Sequence, residues 1–289
     1  MDFALFSHVP WPEGSDPKQV YDDITEEFVL GEELGFKSAW MAEHHFTRYG
    51  LGAAPNVLAS NIVAKTSTLR IGSAVFVSPL HLPARLAEEI ATLDVLSGGR
   101  IDVGFGRGAA SSEYNVANVP AEESQQRFQE SITMIQGLWS TKNYTFEGEH
   151  YKITNANIVP QPVQTPHPPI YIAATRTQAT RDFVAGSGHP LLVGVVLDTA
   201  DALALCHTMV DLATSKGQNM KIGQIPFFRY FYVAETEERA RVDSKPALDW
   251  NLDMIQWRRT FDTGSEVWEN MEEFRKTRTE LPPSYDYLY

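Results

Sequence analysis

The run Glu43-His44-His45-Phe46 sets a carboxylate beside two consecutive imidazoles. Histidine titrates near neutral pH and can take up or return a proton, which is the work of a general acid or base. Adjacent side chains of an extended chain point in opposite directions, so only one of His44 and His45 can project into a given pocket. The competing reading is a histidine pair that packs against a helix or faces solvent. A metal site is disfavoured, because the other histidines show no ligand spacing.

Two further runs carry features of an anion site. In Gly104-Phe105-Gly106-Arg107-Gly108 the glycines admit a ligand close to the backbone and the arginine offers a fork for phosphate. The run suits a phosphorylated cofactor, but a glycine-rich run alone is a weak signal, and its spacing matches neither the dinucleotide fingerprint nor the P-loop. Ala173-Ala174-Thr175-Arg176-Thr177 adds a second arginine and two hydroxyls at the start of a helix, where free N–H groups favour anions. Thr175 or Thr177 serving only as a helix cap is the equal alternative. In Gly72-Ser73-Ala74-Val75-Phe76 the small residues would let a flat ring lie against the backbone, or they are plain packing.

These runs share one position: each closes a stretch of apolar and β-branched residues. Strands are predicted over Phe3–Val9, Ser38–His44, Arg70–Val77, Ile101–Phe105, Ile170–Ala174, Leu191–Val196 and Phe227–Ala234, with helical periodicity between them. Such alternation predicts βα units around a parallel sheet, and several strands are apolar throughout, as strands covered on both faces should be. The fold expected is a parallel (β/α) barrel of the TIM type, in which reactive groups gather at the C-terminal ends of the strands.

The helices carry their own punctuation. Asp16-Pro17 opens the first, which should bury Val20, Ile24, Phe28 and Leu34 before Gly35 stops it. Pro83 opens the third, with Leu86, Ile90, Leu93 and Leu96 inward and Gly98-Gly99 at its end. Residues 140–169 form an insertion longer than an ordinary barrel connection. Within it Tyr144–Phe146 and His150–Ile153 flank Glu147-Gly148-Glu149 as a small hairpin, and a proline-rich extended segment follows. Only seven units are countable in the single domain 1–289, so the barrel lacks its eighth; a truncated C-terminus is the favoured explanation.

The 289 residues carry 24 Lys+Arg against 37 Asp+Glu, a formal net charge of -13, with no dense basic run. Nucleic acid is therefore excluded as a natural partner. Neither a targeting segment nor an apolar run long enough for a membrane helix is present in the sequence, which predicts a cytoplasmic protein and no membrane partner. The single cysteine, Cys206, falls on a helical apolar side with Leu203, Val210 and Ala213 and reads as packing.

Three signatures occur together and in order. Gly35-Phe36, Trp40 and Glu43-His44-His45-Phe46 form the first; Ala91-Thr92-Leu93-Asp94 through Leu96-Ser97-Gly98-Gly99-Arg100 and the glycine-rich strand form the second. Phe146, Gly148 and Tyr151, with Pro160, Pro162, Gln164, Pro166, Pro168 and Pro169, form the third. In this combination the chain resembles the bacterial luciferase-like flavin-dependent monooxygenases, from Met1 to at least Ala234.

The resemblance implies reduced FMN (FMNH₂) at the barrel mouth, O₂ as co-substrate, and oxygenation of a small aldehyde- or ketone-like compound. It makes His44 the catalytic histidine, with His45 and Glu43 as neighbours. It makes Gly106, Arg107 and Gly108 the phosphate site, joined by Ala174, Thr175, Arg176 and Thr177, and it places a cis non-proline peptide at Ala74-Val75 under the flavin ring. It also implies a mobile lid within 257–289, a separate flavin reductase, and a homodimer or a heterodimer with a related subunit. Departures occur at Gly106, where luciferase α subunits carry a reactive cysteine, and at Arg176 and Ala179, where they use smaller or hydroxyl side chains. The first argues against light emission. Two alternatives remain at this level: a deazaflavin-dependent hydride-transfer enzyme on the same barrel, and a non-catalytic flavin-binding subunit.

Overall fold

The computed structural model describes residues 2–174, 177–258 and 275–276. Its elements run β1 (Ala4–Ser7), α1 (Pro17–Glu33), β2 (Ser38–Met41), α2 (Pro55–Val63), β3 (Arg70–Val77), α3 (Pro83–Ser97) and β4 (Ile101–Gly106). Then follow α4 (Ser111–Val116), α5 (Ser124–Ser140), β5 (Tyr144–Glu147), β6 (Lys152–Ala156), β7 (Ile170–Ala173), α6 (Gln178–Ser187), β8 (Leu191–Leu192), α7 (Thr199–Ser215) and α8 (Glu237–Trp257).

Local chemistry accounts for the element ends. The Asp16 side chain accepts the N–H of Gln19 at the head of α1, and Pro17 occupies the first helical position, where its missing N–H costs nothing. At the other end of α3, Gly98 takes the left-handed conformation (φ 66°) and its N–H returns to the carbonyls of Asp94 and Val95. Ile24 and Phe28 of α1 are buried as expected, whereas Leu34 is exposed because it lies beyond the last full turn. In α3, Leu86, Ile90 and Leu93 are buried and Leu96 is not.

Six strands form one parallel sheet in the order β1-β2-β3-β4-β7-β8, with β5 and β6 as a separate antiparallel hairpin. One face of the sheet, with Met41, Ile71, Val103 and Ile172, packs under helices that contribute Phe28, Ile62, Ile90 and Ile135. The other face carries a second cluster of Trp40, Leu192, Val195 and Phe228, with Phe6 and Tyr171 against it. Phe6 of β1 and Phe228, which follows β8, bring their rings to 4.8 Å. Residues from the two margins of the sheet therefore meet, and the sheet is curled into a half-barrel around that cluster.

The seven-strand expectation is corrected at the end of the series. The sixth predicted strand shortens to Leu191–Leu192, and the seventh reduces to a single parallel bridge of Phe227 with Val193. A strand needs ladder partners, and among the described residues nothing pairs with Phe231, Tyr232 and Val233, which stand exposed. The predicted hairpin in the insertion is present with its second strand shifted to Lys152–Ala156. Cys206 is buried on α7. Most of the segment 257–289, anticipated as a lid, lies outside the described residues. Among the described residues no helix is long and apolar enough to cross a membrane.

Candidate active site

All strands of the main sheet run in the same direction, so the residues following β1, β2, β3, β4 and β7 collect at one edge. Glu43 is buried there and acts as a hub. Its carboxylate accepts His45 Nε2–H at 2.7 Å, His81 Nε2–H at 2.9 Å and the backbone N–H of Val77 at 3.1 Å. Burial works to raise this carboxyl, but the bonds from His45 and His81 outweigh it and hold the pKa at about 2. An ionised carboxylate only accepts, so both imidazoles turn a protonated Nε2 toward it. Burial alone would lower His45; the hydrogen bond and charge of Glu43 raise it overall.

His44 points elsewhere. Its ring lies 4.4 Å from that of Tyr49 and 5.9 Å from that of His8, and its Nδ1 is 3.2 Å from Nη1 of Arg258. The alternation expected of an extended segment is thus realised, with His45 turned to Glu43 and His44 to a separate pocket. Burial first, then the charge of Arg258, pushes His44 well below the ordinary histidine range. His8 is lowered likewise, by burial and then by His44 and Arg258. The loop bearing Tyr49 is pressed onto the strand ends: a Cβ on Gly50 would stand 2.2 Å from the His8 carbonyl oxygen, and one on Gly52 2.0 Å from that of Ala42. Only glycine permits that approach.

The phosphate-type residues converge a short distance along the same edge. Arg107, just after β4, donates from Nη1 to Ser124 Oγ and from Nη2 to Thr177 Oγ1, each at 3.3 Å. Thr177 occupies the N-cap position of α6 but makes no side-chain capping bond; its hydroxyl meets the arginine instead. Arg107 meets no carboxylate among the described residues, so its charge is left for an anion. Gly108 adopts φ 80°, and Gly106 lies under Val75, whose Cγ2 would be 2.3 Å from an added Cβ. The Ala74-Val75 peptide is cis. Ala174 is buried at the end of β7. Thr175 and Arg176 lie outside the described residues.

Helix α4 ties the two groups together. The Glu113 carboxylate accepts the backbone N–H of His45 at 3.2 Å and stands 3.7 Å from Nδ1 of His44. The next residue, Tyr114, donates its hydroxyl to the carbonyl of Arg107. Burial raises the Glu113 carboxyl, opposed by Arg258 and by the His45 N–H.

His44, His45 and Glu43 are thus joined by residues that sequence reading passed over: His8, Tyr49, His81, Glu113, Ser124 and Arg258. The position of His8 at a strand end was a usable signal, and Tyr49 follows His44 in the same loop; the others reach the site from segments further along the chain with no local motif. The donor set of Arg107, Ser124 and Thr177, beside glycines that leave the backbone open, fits a phosphate monoester such as the tail of FMN. Among the described residues no group of three or more His, Cys, Asp or Glu could hold a metal ion.

Comparison with known proteins gives a consistent picture. The family described as luciferase-like monooxygenase matches residues 1–286. The oxygenase component of a flavin-dependent trigonelline monooxygenase from Acinetobacter baylyi is 31% identical, over 84% of this chain and 68% of its own length. The crystal structure of monooxygenase RslO1 from Streptomyces bottropensis superposes with a TM-score of 0.84 at 25% identity, covering 90% of this chain and 80% of that one. The oxygenating constituent of 3,6-diketocamphane monooxygenase from Pseudomonas putida, solved with FMN, shares the fold at a TM-score of 0.75 and 17% identity, over 85% of this chain and 71% of that one. Coenzyme F420-dependent enzymes also occur among the matched relatives and structures. The chain spans between 52% and 68% of the length of four curated relatives it matches.

Proposed function

The chain belongs to the luciferase-like monooxygenase family, and from that premise we propose that it is the oxygenase component of a two-component system, taking reduced FMN from a separate reductase and using O₂ to oxygenate a small aldehyde- or ketone-like substrate. The observation that carries this reading is the pairing of two groups at one sheet edge. Adjacent residues of α4 reach both: Tyr114 bonds the carbonyl of Arg107, and Glu113 accepts the N–H of His45, next to His44.

FMN would rest its phosphate on Arg107, Ser124 and Thr177, with the backbone about Gly106 and Gly108 beside it. When bound, the reduced flavin supplies two electrons, so that one oxygen atom of O₂ enters the substrate and the other leaves as water. The protein contributes position and dryness. Glu43 locks His45 and His81 against the end of β3, and the C-terminal part of α8, with Leu252, Met254, Ile255 and Trp257, closes over Tyr49. Exclusion of water matters because reduced flavin in contact with solvent spends its electrons on hydrogen peroxide. His44 offers its imidazole to the reacting centre as the group that bonds or protonates the developing product oxygen.

The test is direct. Purified protein supplied with reduced FMN, ¹⁸O₂ and a panel of aldehydes and ketones should form product bearing one labelled oxygen, and His44→Ala should lower turnover about a hundredfold. Tight binding of a deazaflavin with no affinity for FMN would overturn the reading, as would FMN binding with no oxygenated product.

A further inference from the structure

The contact between Arg258 and His44 decides more than position. Nδ1 of His44 lies 3.2 Å from Arg258 Nη1 and 3.7 Å from Glu113 Oε1. The first is a hydrogen-bond distance and the second is too long. A guanidinium can only donate, so the nitrogen it meets must present a lone pair. Glu113 Oε1 takes the N–H of His45 at 3.2 Å and stands beyond hydrogen-bond reach of His44 Nδ1, so the near neighbour of that nitrogen is the guanidinium. The Nε2 atom makes no hydrogen bond among the described residues, and the side chain is 14% exposed.

We infer that Arg258 is a positioning residue that holds His44 as the neutral tautomer protonated on Nε2, so that His44 meets its ligand as a hydrogen-bond donor. The groups that face this imidazole are His8 just after β1, Glu113 from α4 and Arg258 at the end of α8, with Glu43, His45 and Tyr49 on its own segment. Arg258 lies 4.5 Å over the Tyr49 ring, and Tyr49 packs against both imidazoles, so the guanidinium is held between an aromatic face and a nitrogen lone pair.

The consequence is chemical. A His44 in this state stabilises a carbonyl or developing oxyanion by donation from Nε2, and it takes up a second proton only at Nδ1, where Arg258 stands. Acting as a base through Nε2 is closed to it. Arg258 is therefore the group that keeps His44 a donor, and its departure would free the ring to accept a proton. That role in turnover rests on the oxygenase reading above; the tautomer does not.

The experiment is ¹⁵N NMR of the full chain with labelled histidine, without flavin, the His44 signals being assigned by their loss in His44→Gln. The unaltered protein should show Nδ1 unprotonated and Nε2 protonated across neutral pH. Arg258→Met should raise the His44 pKa by about one unit or more, and Arg258→Lys, which keeps a charged donor, should restore the original tautomer and titration. A proton on Nδ1 in the unaltered protein overturns the inference, and so does an Arg258→Met protein in which His44 titrates as before. If Arg258→Met fails to fold, the tautomer in the unaltered protein and the Arg258→Lys titration still decide it. Because neither flavin nor oxygen enters these measurements, failure of the oxygenase reading would appear in the turnover assay and not here.

Discussion

Glu113 accepts the backbone N–H of His45 at 3.2 Å across 68 residues of sequence, and through that bond the loop after β4 is tied to the loop after β2. The adjacent Tyr114 reaches back to the Arg107 carbonyl, so a single helical turn spans the anion-binding side and the imidazole side. Rigid coupling of this kind suits a ligand long enough to occupy both. On the proposed reading, the charged tail and the reacting ring of one flavin would then be held in a fixed relation.

Arg107→Ala tests the tail. Hydrogen bonds to a charged group contribute about 1.5–3 kcal/mol, so FMN affinity should fall about 10- to 100-fold. Riboflavin lacks the phosphate, and its affinity should hardly change. Fluorescence titration with both flavins separates the outcomes: equal losses would indicate general damage, and unchanged FMN affinity would remove Arg107 from the phosphate site.

Glu43→Gln tests the hub, with a pH signature whose sign is fixed. The folded-state pKa of Glu43 lies at about 2, against an ordinary 4.5, so its contribution to stability is present above pH 4.5 and is lost as pH falls toward 2. His45 is raised, so its contribution is present below pH 6.5 and fades as pH climbs through its folded-state value. Their pairing is therefore fullest between those limits. Glu43→Gln should cost roughly 2 kcal/mol or more near pH 6, and the gap from the unaltered protein should close as pH drops from 4.5 to 2. Denaturant melts at several pH values give the answer, and a gap independent of pH would contradict the ion-pair account.

The parallel alternation was legible because it rests on local pattern. Asp16-Pro17 and Gly98-Gly99 mark helix ends, and Arg70–Val77 matches the observed β3 residue for residue. Strand-end motifs also led to Glu43, His44 and Arg107, since a parallel sheet brings such ends together. What escaped depends on contacts that no window of sequence contains. Arg258 meets His44 across 214 residues, and Ser124 meets Arg107 from the start of another helix. The apolar run beginning at Phe227 read as a strand, yet pattern cannot say whether a partner edge exists, and among the described residues only Phe227 finds one. The role of Thr177 as cap or ligand group stayed open until its hydroxyl was seen to meet Arg107 rather than the helix.

Gly106 tests the packing between β3 and β4. An added Cβ would lie 2.3 Å from Val75 Cγ2, and a β-branched side chain has little rotamer freedom with which to move aside. Gly106→Ala should therefore shift Val75, cost about 1–3 kcal/mol of stability and weaken flavin binding, since the displaced side chain lies beside the loop that bears Arg107. The double variant Gly106→Ala/Val75→Ala removes the clashing methyls and should recover most of both losses. Melting temperature and flavin titration on the two singles and the double form a complete cycle. If the two substitutions prove additive, the pair is not in contact and Gly106 owes its lack of a side chain to something other than Val75.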